Sequence, residues 1–146
     1  MRYQRLSGIH ACLLIILLSV MVGCSEEKRE TEAHEQAEAF FNALYNERDM
    51  EKVAELASED YRRVLMHYGA SSSIGRYLYN MNFDEVEIIA DRRGISLYQD
   101  RADTARVQVS FTGMHAGRKR ESLREVVMIR ENGNWRIDRV LDGPMN

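Results

Sequence analysis

Residues 126–140 read VVMIRENGNWRIDRV. Two apolar–polar alternations flank Asn132-Gly133, the pair that suits a tight hairpin because both central positions of a type I′ turn need positive φ. The stretch therefore predicts the last two strands of a sheet, with Trp135, Ile137, Arg139 and Leu141 on one face of the final strand. Two registers are open. A two-residue loop puts Val126 and Met128 on the Trp135 face. A three-residue loop, with Gly133 alone left-handed, brings Val127 and Ile129 to that face and Glu125 opposite Arg139. The second buries the more β-branched set and pairs a carboxylate with a guanidinium, and is the register expected.

Upstream, Ala105, Val107, Val109 and Phe111 alternate strictly with Arg106, Gln108, Ser110 and Thr112. This is a strand with one apolar and one polar face. A turn at 116–119 sends the chain back into a strand over about 121–130. Val86 and Ile88 start a further strand, which is expected to run irregularly past Gly94, as a bulge, to Tyr98. Before Met81 the period is helical. Ala33, Ala37, Phe40, Phe41 and Leu44 form one stripe of a helix over 31–45, with Thr31 as N-cap. Asp49 and Ser58 read as the caps of two shorter helices, and Gly69 as the left-handed residue that ends the second. Ser71, Ser72 and Ser73 read as a loop or a further cap, ahead of helically spaced Ile74, Leu78 and Met81.

Helices followed by a run of antiparallel strands define an α+β fold. The helices pack on one face of a curved, mostly antiparallel four-stranded sheet. With FFNALYNERDMEKVAEL (40–56) at one end and VVMIRENGNWRIDRV at the other, residues 31–141 resemble the NTF2-like (cystatin-like) superfamily. The resemblance implies a long first helix lying in the curve of a bent sheet to form a cone. It implies little about activity, since the superfamily holds isomerases, dehydratases, transport factors and small lipoproteins. Tyr61, His67 and Tyr77, on the helices that rim such a cone, and Glu125 on a strand are the candidate ligand-binding residues. A buried carboxylate facing tyrosines would have the raised pKa that suits a base. None of these residues matches a catalytic motif of the family, so no catalytic residue is assigned. No nucleotide-binding or nucleophile motif is present, no cofactor is implied, and His34, His67 and His115 lack the i+3 or i+4 spacing of a metal site.

The N-terminus sets the expected location. Arg2 and Arg5 precede an uncharged run over 6–23 that ends in Met21, Val22, Gly23 and Cys24. This is the layout of an export signal, and its Gly-Cys ending resembles the lipobox of bacterial lipoproteins, with Met21 where Leu is usual. An ordinary secretory signal and a retained membrane helix are the competing readings. The resemblance implies a signal peptide over 1–23, lipid on Cys24, a tether over 24–30 and one domain over 31–146. It implies a cell-envelope location, in the outer membrane facing the periplasm if the source has one, since Ser25 is not the Asp that marks inner-membrane retention. The other cysteine, Cys12, would leave with the signal, so no internal disulfide could form in the remaining chain.

Charge is uneven. Residues 26–60 carry 12 acidic against 4 basic side chains, and residues 61–146 carry 11 against 14. Overall acidity speaks against nucleic acid as a partner. Arg118, Lys119 and Arg120, at the turn between strands, are expected to converge as an interaction surface for an anionic membrane or acidic partner. The reading that unites these features is a lipid-anchored, non-catalytic binding or assembly module for a small apolar ligand, a peptide or an envelope protein. The alternative is an acid–base enzyme of isomerase or dehydratase type working in the cone.

Overall fold

The apolar stripe of the first helix is buried along its whole length: Ala33, Ala37, Phe40, Phe41 and Leu44 are at most 5% exposed. The computed structural model describes residues 32–91 and 103–141, all within the compact unit Thr31–Asn146. Helix α1 spans Ala33–Asn42 and widens into a π-helical turn, Ala43–Glu47. Thr31 lies outside the described residues, and Glu32 is the N-cap, its amide bonded to the Glu35 carboxylate at 3.1 Å. Arg48, left-handed at φ 57°, ends the π turn. Helix α2 (Met50–Leu56) is capped by Asp49, which accepts from the Lys52 amide at 3.0 Å, and α3 (Glu59–Tyr68) by Ser58, as expected. Gly69 closes α3 at φ 73°. Residues Ser71–Ser73 form a single helical turn, α4, not a loop, and run into a second π-helical turn, Ile74–Leu78.

Four antiparallel strands follow in the order β1-β2-β3-β4: β1 (Glu85–Asp91), β2 (Thr104–His115), β3 (Arg118–Glu131) and β4 (Asn134–Leu141). The sheet is curved and open, with the helices on one face, so the fold class is the expected α+β. The strand expected over 94–98 and the signal, Cys24 and tether over 1–30 lie outside the described residues. Alternation places Ala105, Val107, Val109 and Phe111 of β2 inward, with Val126 and Met128 of β3 and Ile88 and Ala90 of β1.

The last hairpin takes the other register. Asn132 and Gly133 both have positive φ (51° and 79°), which makes a two-residue turn and pairs Met128 with Ile137. Asn132 tolerates the left-handed region, and a type I′ turn matches the twist of its strands. Burial of Val126 and Met128 outweighs the β-branched preference that favoured Val127 and Ile129. A bulge then leaves Asp138 unpaired, so that Val127 faces Arg139 and Val126 faces Val140. The bulge breaks the expected alternation: Val140 packs on the core, while Arg139 is exposed. Glu125 consequently does not meet Arg139; it bonds Arg106 across the sheet at 2.7 Å. Trp135 is half-buried at the edge of the core, its ring covered by the Arg130 guanidinium at 4.7 Å.

Candidate functional site

The space that a cone would leave open is occupied by rings. Phe41 meets Phe40 and Phe111 edge-to-face, with centroids 5.1 and 4.9 Å apart, and Phe83 stacks on Phe111. Glycines make two of these approaches possible. A Cβ on Gly113 would stand 2.3 Å from the Glu85 carbonyl and 2.8 Å from Phe83, and one on Gly75 would press on Met81 and Tyr45. The Tyr45 hydroxyl donates to the Met81 carbonyl at 3.4 Å, tying the first π turn to the end of the second.

Two further hydroxyls lie in this interior. Tyr61 and Tyr79 share a buried O···O hydrogen bond of 2.6 Å. Burial pushes the Tyr61 hydroxyl up to about 12 and raises those of Tyr45 and Tyr79 further. All three are therefore protonated near neutrality and act as packing groups with satisfied hydrogen bonds. The nearby carboxylate, Asp138, is engaged by Ser58 Oγ at 3.3 Å and by Arg139 at 3.1 Å.

The four residues singled out as ligand-binding do not share one cavity. Tyr61 is buried in the interior, while Tyr77 is 70% exposed and His67 is also exposed, both on the outside of the helical layer. Glu125 stands on the outer face of the sheet with Arg106. Tyr79, not Tyr77, is the residue that meets Tyr61.

Open space lies instead at the rim, where β2 and β3 run on past the helices. Beyond Phe111 the inner face carries Gly113 and His115 on β2 and Arg118 and Arg120 on β3, while Ser122 stands opposite Phe111 and Arg124 opposite Val109. Arg118, Lys119 and Arg120 are the first residues of a strand, so they do not converge. Arg118 and Arg120 face inward, while Lys119 faces outward and binds Glu121 at 2.6 Å, which lowers the Glu121 pKa. A recess of about 330 Å³ opens on the inner side, walled by Arg120, Ser122 and Arg124 of β3, His115 of β2, and Asn80 and Asn82 of the loop before β1. Asn80 is left-handed at φ 51°, which a short amide side chain tolerates. The Arg124 guanidinium is fixed by the carbonyls of Leu123 (3.1 Å) and Tyr79 (3.3 Å). A second, wider groove of about 900 Å³ runs along the β1 side between Tyr45, Arg48, Glu87, Thr112 and Lys119. Neither Tyr61 nor Tyr79 lines either space.

Among the described residues, no group of three or more His, Cys, Asp or Glu is placed to hold a metal ion, and no helix is long and apolar enough to cross a membrane. No protein-family model matches the chain, and no curated protein does. A solved structure entitled Rd1NTF2_05, followed by five substitutions, is similar at 19% identity over 70% of this chain and 88% of its own, with a TM-score of 0.46.

Proposed function

We propose that the chain is a membrane-anchored envelope lipoprotein whose α+β domain binds a partner at its rim and carries out no catalysis. The observation that carries the second half of this reading is the filled interior. Phe40, Phe41, Leu44 and Phe111 are at most 1% exposed, and the hydroxyls among them are protonated and hydrogen-bonded to one another. An acid–base enzyme needs a titrating group beside a space for substrate, and the interior offers Tyr61 and Tyr79, whose raised pKa values keep them out of proton transfer at neutral pH. A small apolar ligand is disfavoured on the same ground, which leaves a polar ligand, a peptide or a protein met at the rim. The anchored half rests on the basic start, the uncharged run over 6–23 and the Gly23-Cys24 ending.

One experiment addresses each half. Cys24→Ala is expected to release the protein from membranes or to leave it as uncleaved precursor, with loss of fatty-acid label. A variant that fractionates and migrates like wild type, with neither protein labelled, removes the lipoprotein reading. An apolar fluorescent dye is expected to leave the native protein unstained. Saturable one-to-one staining, abolished by filling the interior further, would restore the cone pocket.

A further inference from the structure

We infer that the recess between β3, β2 and the loop before β1 is a binding site for a phosphate monoester. The inference rests on the reading of the domain as a binding module and names the ligand class of its rim. The first support is the distribution of charge pairing on the two sheet faces. On the outer face cations are paired with carboxylates: Lys119 holds Glu121 at 2.6 Å, and Arg106, toward the other end of β2, holds Glu125 at 2.7 Å. On the inner face Arg120 and Arg124 have no carboxylate partner among the described residues, although they line the same 330 Å³ space. Glu121 is the one carboxylate at its edge, and Lys119 neutralises it. Asp84 approaches from outside the recess, 3.6 Å from His115 Nδ1, and accepts the Ala116 amide at 2.9 Å.

The second support is preorganisation. Two backbone carbonyls hold the Arg124 guanidinium from Leu123 and Tyr79, so its remaining N–H groups are aimed before any ligand arrives. A guanidinium held in this way loses little side-chain entropy on binding. The third support is the direction from which donors come. Arg120, Ser122 and Arg124 come from β3, Asn80 and Asn82 from the loop before β1, and His115 from β2. A carboxylate has two coplanar oxygens and is served by a single guanidinium fork. A phosphate monoester carries three terminal oxygens in a tetrahedral arrangement and can be met from several sides at once, which is what three separate elements provide. The neutral amides and the Ser122 hydroxyl suit the hydroxyl groups of a sugar or glycerol attached to the phosphate.

The full chain, purified in detergent, is titrated calorimetrically with glycerol 3-phosphate, inorganic phosphate and succinate. Phosphatidic acid in mixed micelles forms a further arm. Glycerol 3-phosphate is expected to bind and succinate to bind at least tenfold more weakly. Arg120→Gln, a change at an exposed side chain, is expected to weaken phosphate binding roughly tenfold, as the loss of a charge-assisted hydrogen bond does. Arg124→Lys keeps the charge, loses the fork, and is expected to weaken it by a similar factor. Binding of phosphatidic acid as tightly as glycerol 3-phosphate identifies a lipid headgroup as the source, and binding of the free ester alone identifies a soluble one; both support the site. Succinate bound as tightly as phosphate, no phosphate binding at low salt, or an equal loss in Arg118→Gln, which lies outside the recess, each overturns it. The Cys24 and dye experiments read independently of these outcomes, so loss of the ligand leaves the anchored binding module standing.

Discussion

Replacing Tyr61 by Phe removes the hydroxyl that pairs with Tyr79 in the interior. The buried Tyr79 hydroxyl loses its partner, since the two oxygens stand 2.6 Å apart. A buried polar group left unsatisfied costs about 1–3 kcal/mol, so Tyr61→Phe is expected to destabilise by that amount. Tyr79→Phe orphans the Tyr61 hydroxyl in the same way and is expected to cost about 1–3 kcal/mol. The double variant removes both hydroxyls and orphans neither. Adding Tyr79→Phe to Tyr61→Phe should therefore stabilise the protein by roughly 1 kcal/mol, a reversal of sign that urea denaturation of the four proteins reads directly. Alkaline titration supplies a second reading. The Tyr61 pKa is raised by burial from 10.0 to about 12, so the folded state holds a proton that the unfolded state releases between those values. Stability is then full below pH 10 and falls as pH rises through this window, by about 3 kcal/mol for Tyr61 alone. Tyr79 adds to the slope, and Tyr61→Phe should flatten it. Additive losses in the double variant, or an alkaline limb unchanged by Tyr61→Phe, would refute the account of the pair.

Three other substitutions test the frame around it. Gly113→Ala places a Cβ 2.3 Å from the Glu85 carbonyl, inside the β1–β2 ladder, and should cost at least ~2 kcal/mol; a melting temperature within about 2 °C of wild type would show that the strands can part without penalty. Ser58→Ala removes the cap of α3, which accepts the Tyr61 amide at 3.1 Å, together with the bond to Asp138, and is expected to cost about 1–2 kcal/mol by chemical denaturation. Trp135→Ala should cost about 1–2 kcal/mol, below the ~3–5 typical of a fully buried aromatic, because the ring is half-buried under Arg130; fluorescence of the native protein should lie between buried and exposed limits.

The elements with strong periods were legible. Period-two alternation in β2 and the helical stripe of α1 predict the buried residues of both, since burial on one face is what selects such patterns. Caps at Asp49 and Ser58 and the left-handed Gly69 were legible because each solves a local backbone problem with its own side chain or lack of one. What failed depended on choices between distant groups. The register of the β3–β4 hairpin turned on whether Val126 and Met128 or Val127 and Ile129 met the helices, and the bulge at Asp138 is set by contacts with Ser58, 80 residues earlier in the chain. The pairing of Tyr61 with Tyr79 had no signal that separated it from Tyr61 with Tyr77, because the second π-helical turn shifts the helical phase just before residue 79. The basic triplet was read as a turn because β3 starts at Arg118, three residues before the strand expected from 121.

That early start is what gives the rim its recess. Strands of 12 and 14 residues extend about 40–46 Å at 3.3 Å per residue, whereas α1 of 10 residues covers about 15 Å at 1.5 Å per residue. The sheet must therefore outrun the helix that fills its curve. Where helix and sheet overlap, the inner face is Val107, Val109, Phe111, Val126 and Met128, and packing leaves no room for a ligand. Where they do not, the same face carries Gly113, His115, Arg118 and Arg120, with no apolar side chain among them, and Ser122 and Arg124 border this part opposite Phe111 and Val109. Hydrophobic residues there would expose apolar surface to no benefit, but solubility alone asks only for charge of mixed sign. The outer face meets that demand with Lys119–Glu121 and Arg106–Glu125 pairs. The inner face does not: Arg120 and Arg124 pair with no carboxylate among the described residues, and the Arg124 guanidinium is already held in place by the Tyr79 carbonyl. A solvated hairpin tip has no need of that arrangement, and the proposed phosphate site does.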